Sequence, residues 1–282
     1  MTSYSLSCTI NSQDQDQLVA ALQISGFLGC QETEQNQDVK IVAYFRDTAS
    51  RDQALRLLQD FTPADAPRTG EIPDQDWNAT WRASIRPVLI APGIWVSPSW
   101  LPPPEKKAAD QWIRIEPKMA FGSGHHETTR LAAHALIDLG DTLRDSAILD
   151  VGTGSGILCF AAGLQRARHC VGIDIDPVCR GNLAENRTAN AGRARTDFII
   201  GTPKVLHRTA IFDILIMNML FTESAPLLDT LKQHLVPHAH CIWSGILAAD
   251  CREAVDAAGS HGFFLRSERT ENEWWCGVFG RE

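Results

Sequence analysis

The chain lacks the features that several protein classes require. No apolar run approaches the roughly 18 residues needed to span a bilayer, and Met1-Thr2-Ser3 opens into polar sequence rather than a secretory leader. A cytoplasmic protein with no membrane partner is expected. Among the eight cysteines (Cys8, Cys30, Cys159, Cys170, Cys179, Cys241, Cys251 and Cys276) there is no C-x-x-C pair. Scattered mostly among apolar neighbours, they read as reduced core thiols rather than a disulfide framework or a zinc site. His125-His126-Glu127 has no second ligand cluster elsewhere, so no metal is expected. Basic residues are outnumbered, 26 Lys and Arg against 34 Asp and Glu, for a formal net charge of −8. That balance argues against direct nucleic-acid binding, whose affinity comes mainly from cations on phosphates, and it suits a basic protein partner.

What the chain has is a set of buried-strand patterns ending in small or polar residues. The 282 residues, 44% of them hydrophobic, leave room for two modest domains. The run Ile148-Leu149-Asp150-Val151 stops at Gly152-Thr153-Gly154-Ser155-Gly156. This is the pattern of a buried strand turning sharply into a helix, because glycine alone takes positive φ without cost and lets a ligand approach the backbone. A dinucleotide fingerprint spaces its glycines G-x-G-x-x-G above a pyrophosphate; here Ile157 stands where the third glycine would be. The tighter spacing suits a cofactor without phosphates whose amino-acid end lies over the loop. Asp174 closes the next apolar run, 22 positions after Gly152, where an acid accepts hydrogen bonds from ribose hydroxyls. Asn218 closes a third, Ile211 to Met217, facing the same crevice. Together these indicate S-adenosylmethionine as cofactor.

Three regions are expected. Residues 1–61 alternate strand, helix, strand, strand, helix, most of a ferredoxin-like α+β unit, and carry no catalytic constellation. Residues 62–117 begin with the linker-like Pro63-Ala64-Asp65-Ala66-Pro67 and hold Trp77, Trp81, Trp95, Trp100 and Trp112 beside Pro102-Pro103-Pro104. The indoles read as anchors against the larger domain rather than as a base-stacking platform. Residues 118–282 alternate strands and helices, including a helix over Ser224 to His234, which implies a mostly parallel sheet covered on both faces.

The segment Ala120-Phe121-Gly122-Ser123-Gly124-His125-His126-Glu127-Thr128-Thr129-Arg130, with the glycine loop, Asp174, Asn218-Met219-Leu220 and Ser244-Gly245-Ile246-Leu247, resembles the PrmA-type ribosomal protein methyltransferases. The resemblance covers nearly the whole chain, with Ser123 standing in place of the usual threonine. It implies a Rossmann-like class I S-adenosylmethionine-dependent methyltransferase domain preceded by the small ferredoxin-like domain. It also implies action on amino groups, lysine and/or the N-terminal α-amine, of a basic large-subunit ribosomal protein; a monomer is expected. By that resemblance the cofactor contacts are Thr129, Gly152, Asp174 and Asn218, with Gly154 in the same loop and Phe121 packing on the adenine or the methionine chain. Asn218 is also the expected catalytic residue, accepting an amine N–H. Helix capping remains open for Thr129, a core role for Phe121 and a turn role for Asn218. Another protein-lysine methyltransferase, a small-molecule methyltransferase and a cofactor-binding protein without turnover also remain open.

Overall fold

The computed structural model describes residues 2–24, 26–35, 38–72, 82, 85–101, 110–118, 120–192 and 195–281. Trp77, Trp81, Pro102, Pro103 and Pro104 lie outside the described residues. The chain forms two units, Met1–Ile85 and Arg86–Glu282.

The first unit follows β1 (Ser3–Asn11), α1 (Gln15–Leu22), β2 (Phe27–Gln35), β3 (Asp38–Phe45), α2 (Thr48–Leu57) and β4 (Arg68–Ile72). Its strands pair antiparallel in the order β2-β3-β1-β4, which completes the ferredoxin-like arrangement. Period-two alternation turns Leu6, Cys8 and Ile10 of β1 and Val39, Ile41 and Ala43 of β3 inward, onto Leu18, Leu22 and Ala54 of the helices. Asp47 starts α2 by accepting the Ser50 N–H at 2.8 Å. The expected boundary at residue 61 falls short, because β4 supplies the outer strand beside β1. The proline-flanked segment before it is pinned rather than free: Asp65 accepts from the Thr9 N–H at 2.8 Å and Ala64 donates to the Thr9 carbonyl at 2.7 Å.

The second unit opens with a small sheet of β5 (Val88–Ala91), β6 (Ile94–Ser97) and β7 (Gln111–Arg114). Its indoles pack on each other, Trp95 stacking on Trp112 at 5.6 Å, while Ile90, Ile94, Val96 and Ile113 enter the main core. Of the described indoles in this region Trp112 is buried, and these aliphatic side chains carry the contact with the main core. Then come α3 (Glu127–Asp138), β8 (Ala147–Val151), α4 (Ile157–Leu164), β9 (His169–Asp174), α5 (Cys179–Ala189), β10 (Arg195–Ile200), β11 (Phe212–Asn218), β12 (Leu235–Leu247), α6 (Cys251–Ser260), β13 (Phe263–Glu271) and β14 (Trp274–Arg281). The seven strands lie in the order β10-β9-β8-β11-β12-β14-β13. The first five are parallel, and β14 runs antiparallel between β12 and β13. Alternate residues serve the two faces: Ile148, Ile214 and Ile216 meet α3 and α4, whereas Leu149, Leu215 and Met217 meet the face covered by α6. The helix expected from Ser224 to His234 is broken into short turns, Ala225–Leu227, Leu228–Leu231 and Lys232–His234. Pro226 cannot donate to the preceding turn.

None of the eight cysteines is paired. Among the described residues no helix is long and apolar enough to cross a membrane, and no cluster of three metal-binding side chains occurs.

Candidate functional site

Strands β8, β9 and β11 are hydrogen-bonded neighbours, so their carboxyl ends bring Gly152, Asp174 and Asn218 to one edge of the sheet. The turn after β8 needs its glycines. At Gly154 φ is +54° and a Cβ would sit 2.4 Å from the Phe121 carbonyl oxygen, a contact no side chain can relieve. That close approach is itself hydrogen-bonded: the Ser155 N–H donates to the Phe121 carbonyl at 2.8 Å and the Ser155 hydroxyl to the Gly122 carbonyl at 2.6 Å. The glycine loop and the segment before α3 are thus one piece of structure.

Asp174 is fixed by the same loop. Its Oδ2 accepts the Gly154 N–H at 2.8 Å and its Oδ1 the Asp176 N–H at 3.0 Å, each oxygen keeping acceptor capacity for a further donor. Beneath the loop Asp150 is 1% exposed. Burial pushes its carboxyl up to about 6, against the opposing effect of hydrogen bonds from Thr153 and Cys159. From α5, Asn186 donates to the Ser155 carbonyl at 2.9 Å and accepts the Glu116 N–H at 2.9 Å. One turn on, Asn190 accepts the Arg114 N–H at 2.9 Å, and one turn back Asn182 donates to the Glu116 carbonyl at 2.9 Å. This ladder of amides satisfies the backbone of β7 and the residues after it from the side chains of a helix.

The loop opens on a cavity of about 370 Å³. Of the residues expected at the site, Phe121, Gly152, Gly154, Asp174 and Asn218 line it. Thr129 does not. The lining residue on that helix is Thr128; Thr129 is fully buried behind it, and its hydroxyl has no hydrogen-bond partner among the described residues. His126, which lines the cavity, caps α3 by accepting the Thr128 N–H at 3.3 Å. Phe121 is half exposed, not a core aromatic. Its ring meets His126 edge-on at 5.4 Å, and His126 meets Trp274 at 5.1 Å. Trp274 comes from β14 and was not anticipated; no local pattern around it points to a site. Met219, Cys179 and Glu223 also line the cavity. The Cys179 thiol is pushed up to about 11 by burial and by the acids Asp174 and Asp176, which leaves it protonated and unreactive.

These features fit a cofactor with a ribose, an adenine and an amino-acid end and no phosphate, as S-adenosylmethionine has. The Asn218 Oδ1 is buried and without a partner among the described residues, an orphan that a ligand donor satisfies. Asp174 has lone pairs for ribose hydroxyls, and Phe121 and Trp274 present apolar faces for the base and chain. Among the described lining residues there is no Lys or Arg to hold a phosphate.

Comparison with known proteins agrees with the geometry. The family model described as "Ribosomal protein L11 methyltransferase (PrmA)" matches residues 4–282. Among curated proteins, the ribosomal protein L11 methyltransferase of Geobacter sulfurreducens is 37% identical over 221 residues, covering 78% of this chain and 71% of that protein. The one from Thermus thermophilus is 34% identical over 227 residues, covering 78% and 84%. Among solved structures, a ribosomal protein L11 methylase from Lactobacillus delbrueckii subsp. bulgaricus superposes with a TM-score of 0.63 at 24% identity, over 70% of this chain and all of that one. That last likeness speaks for the fold.

Proposed function

The chain belongs to the ribosomal protein L11 methyltransferase family, and from that premise we propose that it transfers a methyl group from S-adenosylmethionine to an amino group of ribosomal protein L11. The observation that carries this reading is the convergence of Gly152, Asp174 and Asn218 on one cavity, with the Asn218 Oδ1 left free to accept.

S-adenosylmethionine, when bound, supplies an electrophilic methyl group on a sulfonium. The chain's own residues then have three tasks. Asp174 takes the ribose hydroxyls, while Gly152 and Gly154 give room for the amino-acid end along the loop. Thr128 lines the cavity beside the start of α3, whose first turn is capped by His126. Asn218 accepts an N–H of the incoming amine, which aims the nitrogen lone pair into the cavity. Alignment of this kind and exclusion of water carry an in-line transfer that needs no covalent enzyme intermediate. The amine must arrive as the free base. For a lysine with pKa about 10.4 at pH about 7.4 that costs about 4 kcal/mol, against well under 1 kcal/mol for an α-amine with pKa about 7.8.

Substrate recognition is assigned in this reading to the Met1–Ile85 unit. The described residues lining the cavity all lie beyond residue 119, which leaves that unit for recognition in this reading. Incubating the purified protein with tritiated S-adenosylmethionine and dissociated ribosomal proteins tests the proposal. A single labelled band at L11 is expected, and label confined to other proteins or to small molecules refutes it.

A further inference from the structure

The full charges lining the cavity are all negative among the described residues, coming from Asp174, Asp176 and Glu223. Two of the three are already engaged. Asp174 accepts two backbone N–H groups, and the Asp176 Oδ1 accepts the Val178 N–H at 2.9 Å. The Glu223 carboxylate makes no hydrogen bond or ion pair among the described residues. It sits in the turn that follows Asn218, and that turn is held firmly. Ser224, fully buried, donates from its hydroxyl to the Leu220 carbonyl at 2.8 Å and accepts the Trp243 indole N–H at 2.8 Å. The Phe221 ring packs 5.8 Å from that indole. The backbone that carries Glu223 is therefore anchored to the core of the sheet, while its side chain stays exposed at the cavity edge.

A carboxylate on a fixed turn, without a partner among the described residues and lining the same cavity as an orphaned amide oxygen, has the chemistry to receive a cation with several N–H donors. We propose that Glu223 is a specificity-determining residue that draws the cationic amine of the protein substrate to the cavity mouth and hands it to Asn218. The inference rests on the amino-group methylation proposed above. At the pH of the cell a lysine is almost wholly the ammonium form, so the species that arrives carries the charge Glu223 recognises. Its proton leaves to solvent before the nitrogen reacts.

The test measures KM and kcat for intact L11, and S-adenosylmethionine affinity by calorimetry, in the wild type, E223Q, E223A and E223K. E223Q and E223A are expected to raise KM alike, by about fivefold, with most of the loss in KM rather than kcat and with cofactor affinity unchanged. E223K is expected to raise KM further. High salt should narrow the gap between wild type and variants, because it screens the exposed charge. A wild-type KM in E223Q overturns the proposal, as does a defect in E223A that E223Q does not share, since shape rather than charge would then be at work. A wild type that binds the cofactor but labels no amine on L11 removes the underlying reading, and this inference with it.

Discussion

Asn186 and Ser155 are 31 residues apart in sequence, yet the Asn186 amide donates to the Ser155 carbonyl at 2.9 Å inside the protein. Its other end accepts the Glu116 N–H, so one side chain clamps the glycine loop to the segment after β7. The cofactor loop is positioned from outside its own βαβ unit. Asn186→Ala leaves two backbone groups without their partner, each costing about 1–3 kcal/mol when buried. A lowered urea midpoint and an S-adenosylmethionine affinity reduced by about tenfold are expected. Calorimetry showing full affinity in a destabilised variant would separate the clamp from the site.

Asp174→Ala removes the acceptor of the Gly154 N–H as well as the proposed ribose ligand. Charge-assisted hydrogen bonds of this kind contribute about 1.5–3 kcal/mol each, so cofactor affinity should fall at least about tenfold. Titration calorimetry reads this directly, and an unchanged affinity in the folded variant would take Asp174 out of the site.

Asn218→Ala should behave differently. If the Asn218 Oδ1 holds the amine during transfer, kcat drops while cofactor affinity stays near normal, the pattern of an interaction made mainly in the transition state. Poor cofactor binding with normal turnover at saturation is the contrary result.

The buried Asp150 carboxyl supplies a pH dependence. Its folded pKa of about 6 lies above the ordinary unfolded value near 3.9. Between those values the native state keeps a proton that the unfolded chain has released. Stability from this group is therefore lost as pH rises from about 4 to about 6, and is level above that. Asp150→Asn cannot titrate, so relative to wild type it should gain on the order of 3 kcal/mol across that window. Urea unfolding at a series of pH values checks it; a constant difference between the two proteins would mean that Asp150 is not protonated in the native state.

Removing the first unit tests its role. A chain shortened to Arg86–Glu282 keeps all the described cavity residues and should bind S-adenosylmethionine as the full chain does, yet lose methylation of intact L11. Undiminished kcat/KM on L11 would move recognition into the second unit.

The parts of the site that were legible in the sequence are those where backbone conformation restricts residue choice. Gly152 and Gly154 follow an apolar strand because nothing else fits there, and Asp174 and Asn218 close strands of the same parallel sheet. The cavity lining holds Thr128 where Thr129 was expected: one residue along a helix turns a side chain by about 100°, and nothing local distinguishes the two. Strand β4 was missed because its sequence, Arg-Thr-Gly-Glu-Ile, sits at a sheet edge and buries none of its side chains fully. Asn182, Asn186 and Asn190 recur at the spacing of one helix face, but their partners are mostly backbone groups, which leave no mark in the sequence. Trp274 reaches the cavity only because β14 runs against the parallel strands, a fact of topology rather than of its neighbours.

That reversal of β14 also governs when the cavity exists. Its walls come mainly from the stretch around Phe121, from the ends of four parallel strands and from the first residue of the antiparallel strand. During synthesis on the ribosome the first unit, with its short loops, has its whole core in hand once about a quarter of the chain has been made. The cavity must wait until Trp274 has emerged and β14 has slipped between β12 and β13. A nascent chain with its glycine loop, Asp174 and Asn218 already made therefore still lacks the Trp274 wall of the cavity.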